Sequence, residues 1–543
     1  MKRFLETHKK ENFDLVVIGG GITGAAVAYD AASRGLKVAL LEKSDFGWAT
    51  SSATSKLIHG GLRYLNNMEF GLVRESLRER RILENIAPNF VYPIPFMFPN
   101  YDKLMNNKWI MKIGLTLYDI LSFDKKHTWD KSKRIPNHKS YSRKKVMETE
   151  PGVRKEGLTG AAIFYDCQSI FPERLTLAFV KSAVKYGAQV ANYAKVEEFL
   201  YTDGKKIAGV KVKDLLSGKS HEVRGTLTVN CGGPWADLVL GLAQKGNGNH
   251  QIRRSEGIHI ITKKKVYNHA VTLMTPQGRH FFLVPWRGYS LIGTTDREYV
   301  GSPDEYRVTR ESIEEFISEI NSSFGDGNLR YEDVIFSYGG LRPLVDDQTA
   351  GTYSSSRKYE IYDNAADGFD GLITVEGGKY TTSRNLAQSV LAMIEKKLGR
   401  DLGPCMTDRM YLAGSNIEDM ESFLAEVKRD GNSLNPKTLE YLGRNYGTEY
   451  RAVLETAGKK GALLEPLNEE GEILAEVLYA VRHEMARTLK DILFRRTGLG
   501  TLGHPGDKVL KRVADLAAKE LKWNSARLKK ELREAAEALA VPL

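Results

Sequence analysis

Three glycines near the start of the chain, Gly19, Gly21 and Gly24, stand in the spacing G-x-G-x-x-G. Bare glycines let the backbone turn sharply and bring its N–H groups up to a pyrophosphate, and a following helix adds partial positive charge at its N-terminus. Glu42 comes eighteen positions after Gly24, where a carboxylate at the end of the next strand can accept ribose hydroxyls. Together these residues point to a dinucleotide. The fingerprint alone does not separate a nicotinamide from a flavin; the stretch TSSATSKLIHGGLRYL, Thr50 to Leu65, does so. Ser51, Ser52 and Ser55 offer hydroxyls, Lys56 a cation and Gly60–Gly61 exposed amides. Such contacts wrap a retained flavin rather than a cofactor that comes and goes.

These residues need a strand, a tight turn, a helix and a second strand to hold them. DLVVI (Asp14–Ile18) reads as a buried strand, GGGITGAAVAYDAASRG as a turn and a small-residue helix stopped near Gly35, and KVALLE (Lys37–Glu42) as the second strand. Further strand signals lie at Gly257–Thr262, Phe281–Trp286 and Tyr289–Thr295. Beyond about residue 400 the texture changes to charged helices. There Ile473, Leu474, Val477, Leu478, Val481, Met485, Leu489 and Ile492 fall on one helical stripe, which reads as a packing or dimerisation module without chemistry of its own.

The bulk properties bound the answer. The chain has 543 residues, 42% apolar and 27% charged, ordinary for a globular protein of two or three domains. Cys167, Cys231 and Cys405 are scattered without metal-ligand spacing, which argues for a reducing compartment and against a disulfide framework or a zinc site. No metal is expected. No run reaches the roughly 18 apolar residues that spanning a bilayer requires, and the N-terminus lacks the apolar core of a secretory signal. The expectation is a cytoplasmic protein, peripherally associated with the inner face of the cytoplasmic membrane.

GGGITGAAVAYDAASRGLKVALLEKSDF followed by ATSSATSKLIHGGLRYL resembles the FAD-dependent glycerol-3-phosphate dehydrogenases of the D-amino-acid-oxidase-like flavoprotein superfamily. The blocks VNCGGPWAD, GIHI, IGTTDREY, GGLRPLVDD and EGGKYTTSR agree in order, and the resemblance extends through LFRRTGLG in the helical tail. It implies an α/β fold: a Rossmann-like FAD-binding domain with an inserted antiparallel-sheet substrate domain, plus a C-terminal all-helical domain. The oxidoreductase region then covers 12–400, with FAD-binding parts about 12–100, 150–255 and 340–400 and substrate parts about 101–149 and 256–339; the helical domain covers 401–543. The resemblance further implies non-covalently bound FAD, a homodimer, and oxidation of sn-glycerol 3-phosphate to dihydroxyacetone phosphate by hydride transfer from C2 to flavin N5.

A phosphate ester needs several fixed cations, best supplied as arginine forks. Arg342 in GGLRPL, Arg357 in SSSRKY and Lys379 in GGKYTT match the family's phosphate-binding residues, and Arg63 and Tyr64 resemble the pair that reaches the substrate's glycerol and phosphate end. A base must take the proton of the C2 hydroxyl, and histidine suits neutral pH. His259 and His59 are the candidates; His259 is favoured because a strand side chain can face the flavin, with His59 at the cofactor edge. Arg63 and Arg342 join His259 as catalytic candidates. The expected cofactor contacts are Gly19, Gly21, Gly24, Glu42, Thr50, Ser51, Ser52, Ser55, Lys56, Leu57, His59, Gly60, Gly378, Lys379, Thr381 and Thr382. In the last group, EGGKYTT would offer amides and a helix start, with Thr381 or Thr382 as N-cap, to the anionic edge of a reduced flavin. Glu256 departs from the family, which commonly carries lysine there, and is expected to face outward or pair with Arg253 or Arg254.

The net charge is +11, and residues 101–150 hold twelve Lys/Arg against six Asp/Glu. Within 108–126, Trp109, Ile110, Ile113, Leu117, Ile120 and Leu121 share one helical face, with Lys108, Lys112 and Thr116 opposite and Lys125 and Lys126 following. An apolar face with a basic flank suits a helix lying on an anionic bilayer, and equally a helix packed on a core. The family resemblance favours the membrane and, with it, a quinone as electron acceptor. The alternative is a soluble oxidase that uses O2 and makes H2O2. A nucleic-acid-binding flavoprotein is the remote alternative, disfavoured because the charge clusters beside an apolar helix rather than among exposed aromatics.

Overall fold

The computed structural model describes residues 1–7, 11–65, 67–102, 108–202, 206–244, 251–325, 327–345, 352, 358–431 and 434–542. Strand β1 (Asn12–Ile18) is buried on both faces, as an interior strand of a parallel sheet must be. It pairs in parallel with β2 (Val38–Leu41) on one side and with Ser220–Asn230 on the other. Gln189–Ala191 and Leu372–Gly377 extend the parallel set, and Tyr359–Asp363 closes that edge antiparallel. Alternation along β1 divides the environment. Leu15 and Val17 face helix α1 (Ile22–Ser33) and the helices Pro172–Lys185 and Ser383–Leu398, whereas Val16 and Ile18 face the hairpin of 194–214 and the helix Ala236–Ala243.

A second sheet runs in the order Arg297–Tyr299, Arg253–Thr262, Tyr289–Gly293, His280–Trp286, Ala270–Met274, Val91–Tyr101, Leu158–Ser169 and Leu57–Ile58, with Val334–Leu344 also paired to Arg253–Thr262 and Lys139–Ser142 to Leu158–Ser169. Its pairings are antiparallel except that Ala270–Met274 runs parallel to Val91–Tyr101. Strands Val91–Tyr101 and Leu158–Ser169, grouped above with the cofactor-binding parts, therefore pair within this second sheet. The tiny strand Leu57–Ile58 stitches the flavin loop onto it through Gln168 and Cys167.

From Met420 onward the chain is helical around its own apolar cluster. The long stripe expected from Ile473 to Ile492 is broken. Helix Leu474–His483 ends, and a short helix Leu489–Asp491 restarts under a capping box from Thr488, running into a π turn, Ile492–Arg496. Between them Met485 takes φ +61° and packs into the core of the first sheet instead. The break lets Glu484 turn inward to Arg174 (2.5 Å) and Lys181 (3.0 Å), a demand of packing that periodicity does not display.

Candidate functional site

At the end of β1 the glycines answer to steric need. Gly19 has φ +102°, and a Cβ there would lie 2.4 Å from the carbonyl oxygen of Cys231; at Gly24 it would lie 1.9 Å from that of Gly19. Gly21 heads α1 without a side-chain cap, and a Cβ on it would stand 3.2 Å from Ser51 Oγ, which accepts from Ile22 N–H at 2.9 Å. A helix start whose N-cap is a bare glycine is a cradle for a diphosphate. Glu42 is buried, accepts from Gly20 N–H and Ser44 N–H at 2.7 Å each, and has its carboxyl pushed up by that burial. Each oxygen keeps a further lone pair that can take a ribose hydroxyl. From there the loop crosses to the second sheet, where Thr50 Oγ1 donates to Leu341 O at 2.6 Å and Ser52 Oγ donates to Ala49 O at 2.9 Å. The Lys56 ammonium is paired with Glu173 under the rings of Trp286 and Tyr338, which fixes the loop. A groove of about 650 Å³, lined in part by Thr50, Ser52 and Lys56, reaches the helical domain at Thr488 and Phe494.

The second sheet presents one face to this loop, and strand register decides what stands on it. His259 is opposite Gly293 on one side and Tyr338 on the other, and Gly293 is opposite Phe282, so the four form a cross-strand row. One step along, Gly257 faces Gly340, and then Ser255 faces Arg342. Side chains alternate, so all of these share a face. The glycines leave room: a Cβ at Gly293 would lie 2.0 Å from His259 Cδ2, and one at Gly257 2.0 Å from Arg342 Nη2. His259 is buried, stacked on Tyr338 at 4.9 Å, with Nε2 2.9 Å from Ser55 Oγ and Nδ1 without a hydrogen-bond partner among the described residues. Burial, with Arg342 and Lys56 nearby, holds its imidazole neutral by pushing its pKa well below the ordinary range. A neutral imidazole is the form that can take a proton. Arg342 is oriented by the Glu256 carbonyl (3.1 Å), Thr294 Oγ1 (2.7 Å) and the Thr295 carbonyl (3.1 Å).

The second group gathers where Gly60 and Gly61 meet the start of helix Ser383–Leu398. Lys379 Nζ donates to Ser76 Oγ at 3.0 Å and lies 4.2 Å over the ring of Tyr64; Arg63 lies 4.9 Å over the other reach of that ring and donates to its hydroxyl at 3.2 Å. Burial lowers the Lys379 pKa. His59 rests edge-on to Phe282 at 6.3 Å, and burial brings its pKa down to about 4. Thr381 and Thr382 are buried; Thr382 occupies the N-cap position of helix Ser383–Leu398, and its side chain makes no capping bond. Gly378, at φ +89°, gives the close backbone turn there. Arg357 lies outside the described residues. Glu256 pairs with neither Arg253 nor Arg254: Arg253 holds Glu298 and Arg254 holds Asp237, and strand alternation turns Glu256 to the opposite face from His259, toward Arg297 and Tyr306.

Several residues at the site escaped the sequence reading. Tyr338, Gly257 and Gly293 owe their place to register. Asp166 holds Gly60 N–H (3.2 Å), Tyr118 OH (2.7 Å) and Arg80, anchoring the loop from below. His280 stands on the same strand face as Phe282, beside Arg63, and burial brings its pKa down to about 4. The GRHFF stretch carries a histidine at even spacing to Phe282, the one local sign of it.

Comparison with known proteins places this geometry. Residues 14–384 match the family described as FAD dependent oxidoreductase, and residues 405–528 match the C-terminal domain of alpha-glycerophosphate oxidase. A glycerol-3-phosphate dehydrogenase of Synechocystis sp. is 35% identical over 539 residues, 96% of this chain and 95% of that one. The aerobic glycerol-3-phosphate dehydrogenase of Bacillus subtilis is 35% identical over 91% of this chain and 89% of its own. The structure of a glycerol-3-phosphate dehydrogenase from Bacillus halodurans complexed with FAD superposes with a TM-score of 0.78 at 29% identity, covering 98% of this chain and 95% of that one. A glycine turn heading a helix, the helix start at Thr382 and a glycine-floored sheet face fit the FAD of the family and of the Bacillus halodurans structure, and the chain belongs to the FAD-dependent oxidoreductases, among the aerobic glycerol-3-phosphate dehydrogenases.

Proposed function

We propose that the protein oxidises sn-glycerol 3-phosphate to dihydroxyacetone phosphate. The observation that carries this is Lys379, a half-buried ammonium held by a hydroxyl and an aromatic face beside Arg63, at the rim of the flavin loop. Such a cation is built for an anion from outside. In this reading Lys379, Arg63 and Arg342, with Arg357, hold the phosphate, Tyr64 lies along the glycerol end, and His259 takes the C2 hydroxyl proton while Ser55 and Tyr338 keep its ring in place. Bound FAD supplies the two-electron acceptor. Titrating the yellow holoenzyme with sn-glycerol 3-phosphate without oxygen should bleach the flavin band stoichiometrically; an unbleached band under excess substrate rejects the substrate assignment.

The acceptor assigned is a membrane quinone. Helix Lys108–Leu121 turns Leu115 and Tyr118 into the core, while Ile110, Ile113, Ile120 and the following Phe123 are 64%, 71%, 62% and 70% exposed. Met111 and Leu121 pack partly on the core, so Leu121 leaves the outer stripe proposed from the sequence; the Trp109 side chain lies outside the described residues. A row of bare isoleucines flanked by Lys112 and Lys126 supports docking on an anionic bilayer from the cytoplasmic side. No helix of the described residues is long and apolar enough to cross a membrane. Ile113→Glu should abolish co-sedimentation with anionic vesicles. Stoichiometric peroxide during full turnover, undiminished by a soluble quinone, would favour the oxidase reading instead.

A further inference from the structure

The segment Glu42–Trp48 wraps the glycine turn. Gly47 N–H donates to Gly20 O at 2.9 Å, and a Cβ on Gly20 would lie 2.7 Å from the Phe46 ring and 2.8 Å from Glu42 Cβ. In the middle of this wrap, Asp45 is fully buried and points the other way, into the helical domain. Arg496 grips it with both prongs, Nη1 to Oδ2 at 2.7 Å and Nη2 to Oδ1 at 2.8 Å; Arg495 Nε adds a bond to Oδ2 at 2.6 Å and Asn192 Nδ2 one to Oδ1 at 3.0 Å. The arginines are held in turn, Arg495 by Asp491 Oδ1 (2.6 Å) and Arg496 by the Glu484 carbonyl (2.9 Å). Neighbouring residues of an α-helix do not face one partner; here they leave a π turn, a device often found at functional sites, and meet on one carboxylate.

We propose that Arg495 and Arg496 are positioning residues for the adenosine-diphosphate half of FAD. By fixing Asp45 they hold Phe46 and Glu42 against the glycine turn, so the helical domain sets how firmly the cofactor is kept. The two guanidiniums and the carboxylates of Asp45 and Asp491 balance in charge, which lets so many ions be buried together. Neither arginine touches the glycine turn itself; the effect travels through the short rigid wrap between Glu42 and Trp48.

The test is the FAD dissociation constant of the holoenzyme, from flavin fluorescence released on serial dilution, together with the melting temperature with and without excess FAD. Arg496→Met should raise the dissociation constant at least tenfold, and excess FAD should restore much of the lost melting temperature by mass action. Arg496→Lys keeps the charge, loses the fork and should raise it a few-fold. Dissociation constants within twofold of the parent, with a melting deficit that added FAD does not mend, would show that the arginines merely pack two regions together. If the methionine variant does not fold, the lysine variant decides by the same two readings.

Discussion

Lys379, in the loop before helix Ser383–Leu398, and Arg384, in its first turn, lie five residues apart and both face the helix Phe70–Ile86, yet the protein treats them in opposite ways. Arg384 is met by Glu79 through two bonds of 2.7 Å, with both side chains buried. Lys379, one turn along the same partner helix, is met by the hydroxyl of Ser76 and the face of Tyr64, and among the described residues no carboxylate lies within ion-pair distance of it; Glu75 and Glu69 act from farther off. The clamp on Asp45 repeats the first pattern, and so in looser form does Arg342, 3.7 Å from Asp296; Lys379 stands apart. A buried cation furnished with a carboxylate is finished structure, neutral as a pair. One furnished with neutral partners keeps its attraction for an anion that has yet to arrive, and its lowered pKa measures what holding it there costs.

The sharpest way to break this contrast is to remove the cation from each. Arg384→Met strands Glu79 in the interior, and loss of one partner of a buried pair costs about 3–5 kcal/mol. Denaturant unfolding should show that loss, while the Michaelis constant of the folded fraction stays near that of the parent. Lys379→Met should do the reverse. A charge-assisted hydrogen bond is worth about 1.5–3 kcal/mol, so the Michaelis constant for glycerol 3-phosphate should rise about 10- to 150-fold, with stability unchanged or improved. Should Lys379→Met instead melt early and bind substrate as before, the lysine belongs with Arg384 and the phosphate assignment fails. His259→Asn tests the same face from the other side: flavin reduction in a stopped-flow experiment should slow at least tenfold with FAD still bound, and an unchanged rate would remove His259 from the proton step.

How much of this the sequence carries depends on where each demand arises. The glycine turn was readable because its constraint is local: the backbone at Gly19 and Gly24 admits no Cβ, so residue type itself records the geometry. Glu42 closes the same βαβ unit, and the flavin loop comes soon after it in the chain. The row His259–Gly293–Phe282–Tyr338 was not readable, because four strands from 253–344 must pair in one register before the residues meet, and register is a property of the sheet. The basic helix fell between. Its apolar stripe was visible, but Leu115 and Tyr118 form a second stripe, and periodicity alone cannot say which of the two a core will claim. The Asp45 clamp lay hidden for a related reason. RR in LFRRTGLG reads as an ordinary basic helix end until a partner some 450 positions away supplies the carboxylate.

The two regions should also part company in acid, which gives the smallest and most selective test. At the site, burial and neighbouring cations keep His59 and His280 neutral, with pKa values of about 4. Below the ordinary imidazole value of 6.5 the unfolded chain takes up a proton that the native site refuses, so the unfolded state binds more protons and stability falls as pH drops from 6.5 toward 4. Two paired carboxylates, Asp45 in the clamp and Glu484 against Arg174 and Lys181, are held down at about 2 by their cations, so their contribution is complete above about 4.5 and is lost only as pH falls below that. Glu84 and Glu476 push the other way, with carboxyls raised by burial to about 7 and about 8, and blur the parent's own curve. The difference between parent and His280→Met removes that background. Between pH 6 and pH 5 the variant should gain on the parent by up to about 1.4 kcal/mol, seen as a relative rise in melting temperature. A constant offset across that interval would mean that His280 is protonated in the native site, and that the cations beside it already have their anion.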